Sequence, residues 1–214
     1  DNTVRVAICD VSGHGARAAF LMGVVRTVIR LSEKTHLDLF QLTSILNDSL
    51  LDIIGDESDF ISLFIVDVDM TNFTMHYVNA GHCPALLAQA DSSIDTLEAT
   101  IPILGVTSLT PEIKTISFAR HSSLFLFTDG IYEWRTLAGT YFEQEEFVSL
   151  AKDLMPRKSR FLHNLMQALE RVNPNITFRD DVTAMYLRFG IKPEQQTALE
   201  TSSASAPSGH HPET

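Results

Sequence analysis

The sequence predicts an α+β domain in which two antiparallel sheets pack against each other and a pair of helices flanks each outer face. Three observations support this class. Two helical patterns come early in the chain, a series of strand-like segments fills the middle, and two further helical patterns precede a last strand. Strands and helices do not alternate regularly, as they would in a parallel sheet. No internal repeat or heptad pattern interrupts the order.

The first two elements are helices. Residues 16–33 are apolar nearly all round, a pattern that predicts a helix buried on most sides. Residues 37–54 carry leucines at helical spacing and predict a second helix with a single buried face. Asp38 favours its first turn electrostatically, and Gly55 is a natural stop after its last turn.

The strand-like segments that follow are rich in Ile, Val and Phe and are separated by turn residues. Two of them predict a hairpin, and two later ones predict a second neighbouring pair. In chain order they are 60–68 and 73–78 for the hairpin, 85–88 and 94–97 for short strands, 113–118 and 124–128 for the second pair, and 182–189 for the last strand.

The late helices are predicted at residues 143–154 and 158–172, with Pro156 between them. From residue 190 the composition shifts to Ser, Thr, Ala, Pro and Glu without an apolar period. The sequence therefore predicts one domain over residues 1–189 and a disordered tail over residues 190–214.

Composition excludes several classes of protein. The chain has 214 residues, of which 44% are hydrophobic, and a net charge of −11. That charge disfavours non-specific binding to nucleic acid or to anionic membranes. No apolar run approaches the roughly 18 residues that a membrane span needs. Two cysteines make no disulfide framework, so we expect reduced thiols and a cytoplasmic location.

Acidic side chains stand at the ends of three predicted strands. Asp10 ends the apolar run 4–9 and is followed by two glycines, which allow the chain to reverse with positive φ. Asp129 ends a second run, and Asp180 and Asp181 stand directly before the last strand. With no Cys or His at ligand spacing, such carboxylates suit Mg²⁺ or Mn²⁺ rather than Zn²⁺. Several of them around two ions are a recurring way to activate water against a phosphoryl group.

Each acidic motif also has a purely structural explanation, because an acid before a glycine turn is a common way to end a strand. On that interpretation the chain is an acidic α+β domain whose Asp residues only form turns. Three such placements, each with Gly or Asp-Val-Thr beside the acid, favour a functional site over this alternative.

Four short motifs occur in chain order: Asp10-Val-Ser-Gly-His-Gly, Asn79-Ala-Gly-His, Thr128-Asp-Gly and Asp180-Asp-Val-Thr. Together they resemble the metal-dependent protein serine/threonine phosphatases, the protein phosphatase 2C-like enzymes, over most of residues 4–188. The branch that the chain resembles is the bacterial one that acts on sigma-factor regulators and occurs in response regulators. The resemblance implies an α/β/β/α sandwich of two antiparallel sheets.

The resemblance also implies the chemistry. It implies two Mn²⁺ or Mg²⁺ ions, with Asp10 as the bridging ligand and the backbone carbonyl of Val11 as a further ligand. Asp129 and Asp180 are expected either to bind one ion each or to share one. A metal-activated water then hydrolyses phosphoserine or phosphothreonine, so these three Asp residues are the expected catalytic residues. No organic cofactor is implied.

Three further residues are expected beside the ligands or the substrate. Asp181 follows Asp180, which is the favoured ligand of the two. Arg17, at the start of the first helix, either reaches a phosphate or makes a salt bridge with a surface acid. His82, in the loop that begins at Asn79, either contacts the substrate or a metal ligand, or has a structural role.

One departure from the family pattern concerns the start of the chain. Family members carry a further acidic motif of the Gly-Gly-Asp-Tyr-Asp kind upstream of Asp10, and residues 1–9 do not supply it. We therefore expect the domain to be N-terminally incomplete, with its first strand or strands missing. This expectation keeps an alternative open: a catalytically degenerate interaction or signalling module with the phosphatase fold.

The resemblance implies partners as well. The expected substrate is a phosphorylated protein, in particular an anti-anti-sigma-type regulator. A sensor or receiver domain upstream is expected to act through the first two helices, as in two-component signalling, and a homodimer through the same helices is compatible with the pattern. Nucleic acid and a membrane span are not expected.

Overall fold

A computed structural model describes residues 3–137, 139–157 and 160–190. Two four-stranded antiparallel sheets pack face to face, and a pair of helices covers the outer face of each, which confirms the predicted fold class. The strands are β1 Thr3–Val11, β2 Ile61–Asp69, β3 Thr74–Ala80, β4 Ala85–Ala88, β5 Ile94–Leu97, β6 Lys114–Ser117, β7 Ser123–Phe127 and β8 Ala184–Arg188. The helices are α1 Ala16–Thr35, α2 Leu39–Ile54, α3 Gln144–Leu154 and α4 Phe161–Val172.

The strand order is β1-β2-β3-β6 in the first sheet and β5-β4-β7-β8 in the second. The predicted hairpin is β2 with β3, in antiparallel register. Strand β1 lies at the edge of the first sheet, and its residue Asp10 stands opposite Ser62 of β2. The α1–α2 pair packs on the first sheet, and the α3–α4 pair packs on the second.

One predicted pairing is wrong, because β6 and β7 belong to different sheets. Strand β6 pairs with β3, with Ser117 opposite Thr74, whereas β7 pairs with β4 and β8. The Phe118 N–H still donates to the Phe73 carbonyl at 2.9 Å, so the chain leaves the first sheet only after Phe118. Two consecutive strand patterns cannot indicate that the connection between them crosses from one sheet to the other.

Three apolar clusters hold the layers together. The cluster between the sheets contains the stacked rings of Phe64 and Tyr77, whose centroids lie 5.5 Å apart. The cluster under α1 and α2 is almost entirely aliphatic, and the cluster under α3 and α4 is rich in aromatic rings. Burial of this apolar surface is the main favourable contribution to folding.

The structure confirms α2 and its ends. The Asp38 side chain accepts a hydrogen bond from the Gln41 N–H at 2.8 Å, and the Gln41 side chain accepts one from the Asp38 N–H. This reciprocal arrangement satisfies two of the unpaired amides at a helix start. The Gly55 N–H closes the other end on the Leu51 carbonyl.

The prediction for α1 is only partly right. The helix forms, but just Leu21, Val25 and Ser32 are buried among its 20 residues. Phe20 is 60% exposed and Leu31 is 51% exposed. A helix that is apolar all round has the composition of a buried helix, but composition cannot show which of its faces another element covers.

Later boundaries shift slightly. Helix α4 begins at Phe161 rather than at residue 158, and residues 158–159 are outside the described part. Strand β8 begins at Ala184, because the residues before it form the acidic turn described below. Beyond Gly190, the predicted tail lies outside the residues that the structure describes.

Among the helices that the structure describes, none has the length and apolar character to cross a bilayer.

Candidate metal centre and active site

A cavity of about 800 Å³ opens where β1 and β7 end and β8 begins. Asp10 reaches it from the first sheet, and Asp129, Asp180 and Asp181 reach it from the second. Val11 also lines it. The fold therefore brings together, from both sheets, the four acids that lie up to 171 positions apart in the sequence.

The first acidic motif is fixed by Ser12. Its N–H donates to the Phe60 carbonyl at 3.0 Å, and its hydroxyl oxygen accepts a hydrogen bond from the Phe60 N–H at 2.7 Å. Gly13 and Gly15 then adopt φ of 83° and 87°, as the sequence predicted, and α1 follows. These contacts tie the turn after Asp10 to the residue that precedes β2.

Thr128 joins the two acidic turns of the second sheet. Its N–H donates to the Thr183 carbonyl at 3.0 Å, and its hydroxyl oxygen accepts a hydrogen bond from the Thr183 N–H at 2.9 Å. The same hydroxyl donates to the Asp181 carbonyl at 3.2 Å. Thr128 of the Thr-Asp-Gly motif thus holds the turn formed by the Asp180-Asp-Val-Thr motif. Sequence reasoning missed this contact because it joins residues more than 50 positions apart.

Gly130 allows the two turns to touch. A Cβ atom at this position would lie 2.5 Å from the Asp181 carbonyl oxygen and 3.2 Å from the carbonyl carbon of Asp180. Side chains essentially never approach a backbone so closely, so only glycine fits without a shift of the Asp180–Asp181 backbone. The glycine after Asp129 is therefore needed for close approach, since its own φ is not in the left-handed region.

The acids repel one another. The pKa of Asp10 is raised by partial burial and then by the negative charges of Asp129 and Asp180. Glu133, whose N–H donates to the Asp129 carbonyl, shows the same pattern: burial raises its pKa first, and the nearby Asp charges add to it. Sequence reasoning missed Glu133, although its position four residues after Asp129 places it one helical turn away.

The donor set fits a hard divalent cation. Carboxylate and carbonyl oxygens are the ligands that Mg²⁺ and Mn²⁺ prefer. Burial is the main cause of the raised pKa of Asp10, and the negative charges of Asp129 and Asp180 add to it, so a bound cation would relieve part of that repulsion. Within the described part of the chain, no three His, Cys, Asp or Glu side chains are close enough to form a closed metal-binding group. The carboxylates thus line an open cavity and do not converge on a single point.

Two basic residues, Arg179 and His14, also line the cavity. Arg179 is exposed, and its guanidinium has neither an ion pair nor a hydrogen bond among the residues that the structure describes. Arg17 is placed differently: it forms an ion pair with Asp59 and is not among the residues that line the cavity.

His82 lies behind the acids. It is 7% exposed, and its Nδ1 shares a hydrogen bond of 2.7 Å with the Ser62 hydroxyl. The backbone N–H of His82 donates to the Asn79 side-chain oxygen at 2.8 Å. Burial lowers the pKa of His82, whereas the negative charge of Asp129 and the Phe127 carbonyl act in the opposite direction. Its Nε2 is buried without a hydrogen-bond partner among the described residues.

Comparison with known sequences finds a family and a relative. A sequence profile described as Stage II sporulation protein E (SpoIIE) matches residues 1–190. The phosphoserine phosphatase RsbU of Bacillus subtilis (strain 168) is 27% identical over 192 residues, an alignment that covers 87% of this chain and 56% of RsbU.

Comparison with solved structures finds the same fold. The RsbU and RsbW domains of Rv1364c from Mycobacterium tuberculosis match with a TM-score of 0.72 and 25% identity, over 90% of this chain and 53% of that one. The catalytic domain of the serine/threonine phosphatase PstP, in complex with two manganese ions, matches with a TM-score of 0.58 and 12% identity, over 86% of each chain. The second likeness shows the fold alone. The chain spans little more than half the length of RsbU and of the Rv1364c structure.

Proposed function

Because this chain belongs to the Stage II sporulation protein E (SpoIIE) family, we propose that it is a phosphatase that hydrolyses phosphoserine or phosphothreonine in a protein with the help of two Mn²⁺ or Mg²⁺ ions. The relative RsbU is itself a phosphoserine phosphatase. The observation that carries the proposal is the meeting of Asp10, Asp129 and Asp180, from two different sheets, in one cavity.

The proposed metal ligands are the carboxylates of Asp10, Asp129 and Asp180 and the backbone carbonyl of Val11. When bound, divalent cations supply positive charge and lower the pKa of water. The carboxylates alone would repel a phosphate dianion, so a substrate of this charge needs cations in the cavity. Asp181 contributes its backbone, since the Thr128 hydroxyl donates to its carbonyl and its own N–H donates to the Asp180 side chain at 2.8 Å.

Arg179 is the proposed contact for the substrate phosphate. It lines the cavity, and its guanidinium is unpaired within the described residues. A guanidinium can offer two parallel N–H groups to a phosphate, which an ammonium cannot. Arg17 is a poorer candidate, because Asp59 already neutralises it.

The substrate and the partners are proposed from the relatives. Similarity to RsbU, and to a structure in which an RsbU domain occurs with an RsbW domain, supports an anti-anti-sigma-type regulator as substrate. A sensor or receiver domain as regulatory input, as in two-component signalling, remains a proposal, as do a homodimer and a cytoplasmic location.

Hydrolysis of a phosphoserine peptide in the presence and absence of Mn²⁺ tests the function. We expect Asp10→Asn and Asp129→Asn each to lower kcat/KM by at least about 10³-fold, because each removes one of the proposed ligands. The matched control is Asp153→Asn, an exposed acid on α3 outside the cavity, which should retain full activity.

A negative result would be informative. If the folded protein shows neither Mn²⁺-dependent hydrolysis nor heat of Mn²⁺ binding, the phosphatase proposal fails and a degenerate interaction module becomes the better interpretation.

For Arg179, we expect Arg179→Ala to raise KM about tenfold while the Mn²⁺ affinity stays unchanged, in line with the loss of a charge-assisted hydrogen bond. A change in metal affinity instead would mean that Arg179 braces the carboxylates.

A further inference from the structure

One buried polar atom close to the acids makes no hydrogen bond of good geometry among the described residues, the Nε2 of His82, although the Phe127 carbonyl lies near the ring. A buried donor or acceptor without a partner loses its hydrogen bonds to water and gains none in return, so such atoms are rare in native structures. Among the described residues only the Thr43 hydroxyl oxygen and this nitrogen are buried and unpartnered side-chain atoms. Of the two, His82 lies near the cavity. The β4–β7 ladder pairs Leu86 with Phe125, and the same register continued along the chain sets His82 level with Asp129, whose charge acts on the ring.

His82 is held at its backbone and at its ring. The side-chain oxygen of Asn79, which is fully buried, accepts a hydrogen bond from the His82 N–H and fixes the backbone of the turn between β3 and β4. The Ser62 hydroxyl holds Nδ1 at 2.7 Å. Ser62 stands opposite Asp10 in the β1–β2 ladder, so the ring is anchored directly beside the strand that carries the first acid.

The groups near the imidazole favour a hydrogen-bond donor at Nε2. The Asp129 carboxylate and the Phe127 carbonyl both interact favourably with a protonated ring nitrogen. The Ser62 hydroxyl can either donate to Nδ1 or accept from it. If it donates, the neutral ring carries its proton on Nε2, which is the tautomer that these acceptors stabilise.

We propose that His82 is a positioning residue of the metal centre: the Ser62 hydroxyl donates to its Nδ1, and its Nε2–H donates a hydrogen bond, directly or through one water, to the Asp129 carboxylate. The hydrogen bond keeps the carboxylate aimed at the cation. This inference rests on the proposed function, since it gives Asp129 the role of a ligand. Carboxylate ligands are commonly oriented by such outer hydrogen bonds, and their loss typically weakens metal binding.

Calorimetric titration with Mn²⁺ tests the proposal without an activity assay. His82→Asn keeps a polar group near the Nδ1 position only, whereas His82→Gln places an amide near the Nε2 position. We expect His82→Asn to weaken Mn²⁺ binding about 10–100-fold and His82→Gln to stay within about threefold of the wild type. Ser62→Ala, which frees the ring, should weaken binding about three- to tenfold.

The controls distinguish a loss of Mn²⁺ binding caused by a misplaced carboxylate from a loss caused by unfolding. Thermal unfolding of each metal-free variant shows whether the fold is intact, and Ser62→Ala carries the test if His82→Asn does not fold. Mn²⁺ binding by a folded His82→Asn variant equal to that of the wild type would overturn the positioning role and leave the phosphatase proposal intact. A wild-type protein that binds no Mn²⁺ would overturn both.

A second measurement does not depend on metal. Nitrogen-15 NMR of the imidazole in the metal-free protein reports which ring nitrogen carries the proton. We expect a neutral ring with its proton on Nε2, and we expect Ser62→Ala to mix the two tautomers. A ring protonated on Nδ1 would place a lone pair toward Asp129, which would contradict the proposal.

Discussion

The two helix pairs hold their sheets in different ways. In the half formed by α3, α4 and the second sheet, aromatic rings from both layers stack and meet edge to face around Phe147. In the half formed by α1, α2 and the first sheet, aliphatic side chains fill the core, and the two helices share the packing unequally. Seven of the 16 residues of α2 are buried, against three of the 20 residues of α1.

The difference matters because the site is divided between the halves. Asp129 and Asp180 belong to the aromatic half and are joined through Thr128, whereas Asp10 belongs to an edge strand beside α1. Regions with few buried apolar contacts open more readily than densely packed ones. We infer that local opening costs more free energy in the aromatic half, which carries Asp129 and Asp180, than in the aliphatic half, which carries Asp10. Four measurements test this comparison.

The largest effect is expected from Phe147→Ala in the aromatic half. The side chain is fully buried, and its ring centroid lies 4.8 Å from that of Phe127. Removing it should lower the free energy of unfolding by about 3–5 kcal/mol. Leu31→Ala on the exposed face of α1 is the control and should change it by less than about 0.5 kcal/mol. Urea denaturation measures both, and equal losses would remove the proposed contrast.

Gly130→Ala should damage the site without unfolding the domain. The added methyl group would lie 2.5 Å from the Asp181 carbonyl oxygen, so the Asp180 turn must move away. Because a displacement of about 1 Å can cost about 100-fold in rate, we expect a loss of that order in Mn²⁺-dependent hydrolysis. Unchanged activity in the folded variant would show that the two turns need not touch.

Cys9 packs against the aliphatic core and Cys83 against the aromatic core, so the reactivities of their thiols compare the two halves. Burial, with the charge of Asp10, raises the pKa of Cys9 to about 11, and burial raises the pKa of Cys83 to about 12 despite its contact with Tyr132. A higher pKa leaves less thiolate at a given pH, so Cys9 should react with iodoacetamide about three- to tenfold faster than Cys83 at pH 9 in metal-free protein. Mass spectrometry locates the label. In urea the two rates should become equal, and faster labelling of Cys83 in the native protein would contradict the prediction.

Gly23→Ala should give the smallest effect and the opposite sign. This glycine is inside α1, and a Cβ atom there would meet nothing within 4 Å. Alanine is the better helix former, so the variant should be stabilised by about 0.5–1 kcal/mol with activity unchanged. It is also the matched control for Gly130→Ala, since both replace glycine by alanine. A destabilised Gly23→Ala would mean that another group covers α1.

Local sequence signals predicted much of this structure. The helix start at Asp38, the stop at Gly55 and the β2–β3 hairpin follow from residues close together in the chain, and the structure confirms them. The reciprocal hydrogen bonds between Asp38 and Gln41 were not predicted. The assignment of β6 to the first sheet could not be predicted, because sheet membership depends on which distant strand offers an edge. The exposure of Phe20 could not be predicted for the same kind of reason.

For the site, the motifs identified the acids but not what holds them. Asp10, Asp129 and Asp180 stand out because each adjoins an apolar run. Ser62 is an unremarkable polar residue within a strand, and its contact with His82 depends on two strands being neighbours. The roles of Thr128 and Gly130 likewise depend on a turn that approaches from about 50 residues away.

The Thr128–Asp181 hydrogen bond also has a consequence for the order of events during folding. It joins residues 53 positions apart, and both α3 and α4 lie in the intervening chain. Closing so long a loop costs entropy, which the β7–β8 ladder and the packing of the intervening helices offset. On a ribosome, Asp10 and Asp129 emerge well before Asp180, so a nascent chain carries two of the three acids while it still lacks the third. We therefore expect the proposed phosphatase activity to appear only when nearly the whole domain has been synthesised and packed.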